Sequence, residues 1–154
     1  MTTILLSIFE AVVGEATGTI RVLVVDDERS VADSLAMILQ MSGYEATAAY
    51  SAESAVELCQ AKDPHIVVSD IVMGPMSGFD LAIWLAEHSP WRRIILMSAH
   101  SFHDPLVAKS VRHGFDFLPK PIHPDDFLAK LAAPGGAGID ETAEPMEETK
   151  ANED

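Results

Sequence analysis

Two apolar runs in this chain end in carboxylates. Ile20-Arg21-Val22-Leu23-Val24-Val25 runs straight into Asp26-Asp27, and Ile66-Val67-Val68-Ser69 runs into Asp70. Neither run alternates apolar with polar residues, as a strand with one wet face would. Short runs that are apolar throughout indicate strands covered on both faces. Such strands belong to a parallel sheet with helices packed above and below it. This pattern also carries three carboxylates out at one edge of the sheet, the edge where open α/β sheets place their chemistry.

The residues that follow keep the alternation. The first strand is Ile20 to Val25. Val31, Leu35, Ile38 and Leu39 form an apolar stripe on a first helix, stopped by Gly43. A weaker strand follows at Glu45 to Ala49. Ser51 can cap a second helix reaching about Lys62. The third strand is His65 to Ser69. A loop with Gly74, Pro75 and Gly78 leads to a third helix, about Phe79 to Glu87. The fourth strand is Ile94 to Met97, and Arg92 and Arg93 before it read as a solvated turn. Asp104-Pro105 caps and starts a fourth helix ending near Gly114. The fifth strand is Phe115 to Leu118. His123-Pro124-Asp125-Asp126 opens a short last helix, about Asp125 to Ala133. Five strands each followed by a helix predict an α/β fold, a doubly wound five-stranded parallel sheet with helices on both faces and right-handed crossovers.

This domain occupies residues 19–133. Residues 1–18 read as an N-terminal extension. Ile4, Leu5, Ile8, Phe9, Val12 and Val13 fall at helical spacing there, which suits a short amphipathic helix. Residues 134–154 offer little to bury and read as an acidic disordered tail. Seven of the 24 acidic residues lie between Asp140 and Asp154, so much of the net charge of −14 belongs to that tail. The acidic balance argues against direct nucleic-acid binding, which depends on Lys and Arg against phosphate. One cysteine, Cys59, rules out an intrachain disulfide or a cysteine-cluster metal site and reads as a small packed apolar residue. The Ile4–Val13 run is short for a membrane span, carries Glu10, and lacks the basic start of a secretory signal. A cytoplasmic protein with no membrane partner is expected.

Each strand end contributes a polar group to one rim: Asp26 and Asp27, Asp70, Ser98 and Lys120. Taken singly, Asp26 or Asp27 would be a helix cap, Asp70 a turn residue and Lys120 an exposed loop lysine. Five such groups at the ends of one sheet demand a common reason. Two carboxylates about 4 Å apart repel by roughly 4 kcal/mol at an effective dielectric near 20. Three would protonate or recruit a cation, and oxygen-only ligands select a hard ion such as Mg²⁺. With the ammonium of Lys120 and the hydroxyl of Ser98 they form a receptor for phosphoryl oxygens. A carboxylate inside that receptor is a natural nucleophile.

The segments Val22-Leu23-Val24-Val25-Asp26-Asp27-Glu28, Val67-Val68-Ser69-Asp70-Ile71-Val72-Met73, Ile95-Leu96-Met97-Ser98-Ala99 and Leu118-Pro119-Lys120-Pro121 resemble the response-regulator receiver domain of two-component signalling. The resemblance covers about residues 19–133 and implies the flavodoxin-like receiver fold. It implies that Asp70 is the phosphoacceptor, receiving its group from the phosphohistidine of a histidine kinase or a histidine phosphotransfer protein. Asp27 would bind Mg²⁺ directly, Asp26 directly or through water, and the carbonyl of Val72 would complete the protein ligands. Ser98 and Lys120 would hold the phosphoryl oxygens. Ser98 and an aromatic on the fifth strand, Phe117, would form the switch. The signalling face would be the fourth helix, fifth strand and fifth helix, and Lys120-Pro121 would be cis. Such a domain catalyses only its own phosphorylation and dephosphorylation.

The chain departs from the family in the loop after Asp70. Gly74 stands where the family usually has proline, which predicts a more mobile loop. Val72 cannot hydrogen-bond an attacking water, which predicts slow self-hydrolysis, although His100 at the same mouth could act oppositely. His100 and His103 otherwise read as loop residues. No effector domain is evident after residue 133, so a single-domain regulator is expected, one that binds a downstream partner or relays the phosphoryl group; dimerisation through the signalling face is open. The alternative is a receiver-like interaction module that works without phosphorylation. A third reading, an aspartate-nucleophile phosphatase, lacks the acidic residue such enzymes place two after the nucleophile, where Val72 stands.

Overall fold

The computed structural model describes residues 18–134. The N-terminal helix expected within residues 1–18 and the acidic tail lie essentially outside the described residues. The chain forms β1 (Arg21–Val25), α1 (Arg29–Met41), β2 (Glu45–Ala49), α2 (Ala52–Lys62), β3 (Ile66–Asp70), α3 (Gly78–His88), β4 (Arg93–Ser98), α4 (Pro105–Arg112), β5 (Asp116–Pro119) and α5 (Pro124–Ala132). All five strands are parallel, in the order β2-β1-β3-β4-β5. Because strand order reverses after β1, the carboxyl ends of β1 and β3 lie side by side at the topological switch point, where such sheets open a crevice.

Side chains alternate across each strand, so a run apolar throughout supplies two cores. Val22, Val24, Val68, Ile95 and Met97 face one side and pack with Leu35, Leu39, Phe127 and Leu131 of α1 and α5. Leu23, Val25 and Val67 face the other and pack with Ala55, Cys59, Leu81 and Leu85 of α2 and α3. Ile71, Leu96, Phe79 and Val107 extend that second layer beneath α4. Each fully buried side chain of this size contributes about 1.5–3 kcal/mol. Cys59 is buried among them, and burial pushes its thiol up.

Local chemistry sets the ends of the helices. Ser51 Oγ accepts from Ser54 N at 3.0 Å. Asp104 Oδ1 accepts from Leu106 N and Val107 N. Ser77 and Asp80 form a reciprocal capping box at the start of α3. Gly43 takes a φ of +93° just past α1, a conformation that glycine adopts without strain. Gly74 sits in open space at a negative or extended φ, so nothing in its backbone requires glycine.

The solvated turn expected at Arg92 and Arg93 is corrected. Arg93 is the first residue of β4. Its guanidinium bonds Asp116 at 3.2 Å and the carbonyls of Lys130, Leu131 and Ala133 at the end of α5. The Arg92 side chain is largely covered, bonding Asp63 at 2.9 Å and the carbonyl of Pro64. Arg93 satisfies carbonyls that the last turn of α5 leaves without partners, while Arg92 ties the Asp63-Pro64 loop after α2 to the start of β4. Among the described residues, no helix is long and apolar enough to cross a membrane.

Candidate functional site

Backbone hydrogen bonds lock the carboxyl ends of the strands together. Asp26 N donates to Ala49 O at 3.1 Å, Ile71 N to Met97 O at 2.9 Å, and Lys120 N to Ser98 O at 2.9 Å. Val25 and Ser69 are register partners, so Asp26 and Asp70 emerge side by side. Asp70 is the last residue of β3 itself, one position further than the strand expected from sequence. Carboxylate oxygens of Asp26, Asp27 and Asp70 lie within 4.8 Å of one another. Asp26 is fully buried, Asp70 nearly so, and Asp27 is exposed.

The helix-cap reading of the first two carboxylates does not hold. The N-cap of α1 is Glu28, with no side-chain cap. Asp26 Oδ1 accepts from Glu28 N at 3.0 Å, and its other oxygen accepts from Lys120 Nζ at 2.7 Å. A cap bond is typically worth about 1 kcal/mol, which α1 forgoes while its neighbouring acids face the crevice.

Lys120 Nζ also lies 3.6 Å from Asp70 Oδ1. Burial works against its charge, but the hydrogen bond it donates to Asp26 and the fields of Asp70 and Asp26 outweigh it and hold the ammonium above its ordinary range. One ammonium cannot balance three carboxylates. Burial pushes Asp70 up to about 6; Lys120 opposes this, while Asp26 and Asp27 reinforce it. The donors are all hard oxygens, and the excess negative charge sits on the least compensated of them. That set suits a small divalent cation rather than a soft metal. Among the described residues it is the one such grouping, and the histidines form none.

Ser98 ends β4, is buried, and its Oγ accepts from His100 N at 2.9 Å. The hydroxyl proton is not used in that bond. Phe117 is half-buried on β5, against Leu96 and Val107, and lies under the exposed ring of Phe102 with centroids 5.7 Å apart. Val72 is exposed beyond Asp70. The Lys120-Pro121 bond is cis. His100 and His103 lie in the β4–α4 loop, with His100 Nδ1 3.8 Å from Asp104.

The response regulator receiver domain model matches residues 22–132. The chain belongs to that family. The receiver is 30% identical over 114 residues to the probable transcriptional regulatory protein TcrX of Mycobacterium tuberculosis, covering 74% of this chain and 49% of that protein. It is 33% identical over 108 residues to the DNA-binding transcriptional regulator NtrC of Escherichia coli K12, covering 70% of this chain and 23% of that one. This chain thus spans half or less of the length of these curated relatives. Among solved structures, a CheY-like receiver domain protein from Methanospirillum hungatei superimposes with a TM-score of 0.69 at 26% identity, covering 74% of this chain and 91% of that one. Chemotaxis protein CheY4 of Vibrio cholerae gives 0.67 at 25% identity, covering 74% and 97%.

Sequence reasoning treated Gly78 of the receiver as a loop residue, and its part in the site went unread. Its N–H donates to Ile71 O at 2.8 Å, folding the β3–α3 loop back on itself. A Cβ there would lie 1.9 Å from the carbonyl oxygen of Asp70. Glycine is required because the start of α3 presses against the backbone that carries Asp70. The legible signal was the capping pattern Ser77-x-x-Asp80, which places Gly78 at the first helical position. Phe102 was also missed; an isolated aromatic in a loop carries no periodicity.

Proposed function

We propose that this receiver accepts a phosphoryl group on Asp70 from the phosphohistidine of a histidine kinase or phosphotransfer protein. The observation that carries the reading is the meeting of Asp26, Asp27, Asp70 and Lys120 around one crevice. Asp26, Asp27, Asp70 and the carbonyl of Val72 would hold Mg²⁺, which when bound offsets the charge of the carboxylates and of the incoming phosphoryl oxygens.

The chain's own residues do the rest. An oxygen of Asp70 attacks phosphorus, and the electron pair of the breaking P–N bond leaves with the histidine nitrogen. Asp70 is only partly compensated by Lys120, so a lone pair remains available for attack. Lys120, held by Asp26, presents its ammonium to a phosphoryl oxygen. Ser98, whose oxygen is occupied by His100 N, has a proton to donate to another. The added charge and acceptors then bias the β4–α4 loop. Phe117, beneath Phe102, transmits that bias to the face of α4, β5 and α5, which engages a downstream partner or leads to relay of the group. The reading places the domain in the cytoplasm.

The test offers acetyl phosphate and Mg²⁺ to the purified protein. The intact mass should rise by one phosphoryl group, with no gain in Asp70→Asn or in the presence of EDTA. Absence of any gain in the wild-type protein overturns the reading in favour of a module that works without phosphorylation.

A further inference from the structure

Arg29 stands apart from the other arginines among the described residues. Arg21, Arg92 and Arg93 lie at the amino ends of β1 and β4, and Arg112 at the far end of α4. Arg29 opens α1 at the carboxyl rim, directly after Asp27 and Glu28. Local stability does not account for a cation there. A positive charge in the first turn opposes the helix macrodipole, and α1 has no acidic residue in that turn to offset it. Asp33, four residues on, stands where an i,i+4 ion pair could form, yet its Oδ1 accepts from the Tyr50 hydroxyl at 2.6 Å instead. The Arg29 guanidinium lies over the ring of Tyr50, 4.2 Å from its centroid. Arg29 is exposed and forms no hydrogen bond or ion pair among the described residues, so its planar fork of donors is open to an anion.

Strand register brings this pair beside the crevice. Val25 is the partner of both Ala49 and Ser69, and Asp26 N donates to Ala49 O at 3.1 Å. Tyr50, Asp26 and Asp70 therefore follow at one level on the neighbouring strands β2, β1 and β3. Two strand spacings put Tyr50 about 10 Å from Asp70. The charges that act on the Asp70 carboxyl are Lys120, Asp26 and Asp27. Arg29 is near enough to act on an arriving anion and too far to neutralise the nucleophile.

We propose that Arg29, held on the Tyr50 ring, steers the anionic phosphoryl donor into the crevice against the repulsion of Asp26, Asp27 and Asp70. The assignment rests on Asp70 being the phosphoacceptor. Arg29 acts on the encounter with the donor and not on the transfer itself. A unit charge about 10 Å from a dianion in water, at an ionic strength of about 0.02 M, changes the local donor concentration about two- to threefold. For a monoanion the factor falls to about 1.5.

The test follows uptake on Asp70 by intact mass, at limiting acetyl phosphate with Mg²⁺ in excess, in the full chain and its variants. Arg29→Gln should react about two- to threefold more slowly than wild type at about 0.02 M ionic strength, and nearly equally at about 0.5 M. With the less charged donor phosphoramidate the deficit should be about 1.5-fold. Arg29→Lys, which keeps the charge, should react at close to the wild-type rate. Mg²⁺ binding, measured by calorimetric titration at low salt, should move the other way. It should be about two- to threefold tighter in Arg29→Gln, because the same charge repels a cation. The Tm of Arg29→Gln should stay within about 2 °C of wild type. Equal rates at low salt would overturn the proposal. So would a deficit that survives 0.5 M salt, or one that comes with weaker Mg²⁺ binding and a lower Tm, the marks of a structural role. In each of these cases uptake by the wild type leaves the phosphoacceptor reading standing. No uptake by the wild type or any variant overturns that reading and the proposal together.

Discussion

Replacing Asp70 with asparagine should stabilise the metal-free protein at neutral pH, although it removes the proposed phosphoacceptor. Burial and the neighbouring Asp26 and Asp27 raise the Asp70 carboxyl from 3.8 to about 6, against the opposing pull of Lys120. The folded domain therefore binds this proton more tightly than the unfolded chain does. Its stabilising contribution is fully present below about pH 4 and is lost as pH rises through about 6. Two pH units correspond to about 3 kcal/mol at 1.36 kcal/mol each. Relaxation around the crevice brings the expected gain for Asp70→Asn to about 1–3 kcal/mol above pH 7, or roughly 4–12 °C in Tm for a domain of this size. The assay is thermal and urea unfolding of both proteins in EDTA from pH 4 to 8. The advantage of the variant should vanish towards pH 4. Mg²⁺ at a hundred times its Kd should stabilise the wild type by about 2.7 kcal/mol and the variant by less, shrinking or reversing the difference. A variant no more stable than wild type at pH 7.5, or one with the same advantage at pH 4 and 8, would refute the electrostatic argument.

Four further outcomes follow from named contacts. Lys120→Met leaves the fully buried Asp26 with only the Glu28 N–H, so urea unfolding should show a loss of about 3 kcal/mol at pH 7.5. Gly78→Ala drives a methyl into the Asp70 carbonyl; the domain should lose at least about 2 kcal/mol, and the remaining folded protein should take up acetyl phosphate more slowly. Arg93→Met removes the donors to three carbonyls at the end of α5 and one of the two cations on Asp116; about 2 kcal/mol should be lost, with faster amide exchange confined first to α5. Val72→Asn places a hydrogen-bonding group where an apolar one is exposed beside Asp70, and the phosphorylated protein should decay faster; an unchanged or longer half-life counts against that role.

The strands and helices were legible where one physical signal dominated. Val22 to Val25 and Ile66 to Val68 read as doubly covered strands because both faces are apolar, and the two cores that they feed are separate. Ser51 and Asp104 read as caps because each has a short acceptor side chain just before a helical stripe, and both cap. Arg92 and Arg93 were misread because charge dominates any solubility argument, while the demand they meet is set by the chain elsewhere. The end of α5 and the loop after α2 present carbonyls that only the fold brings beside β4. Gly78 was read as a loop because its partner, the Asp70 carbonyl, is eight positions away and lies close only through the loop's closure.

The candidate site divides along the same line. Asp26, Asp27, Asp70 and Lys120 could be placed on one rim from strand order alone, because parallel strands deliver their carboxyl ends to one side. How the four share charge could not be read. Lys120 lies 2.7 Å from Asp26 and 3.6 Å from Asp70, and that difference depends on sub-ångström packing at the ends of β1 and β5. It decides the chemistry: the buried Asp26 is neutralised, and Asp70 is left the under-compensated acid. A lysine seated as closely on Asp70 would stabilise its carboxylate and weaken it as a nucleophile. The unequal pairing leaves Asp70, the proposed nucleophile, in excess negative charge, which a divalent cation and a phosphoryl group would relieve together under that proposal.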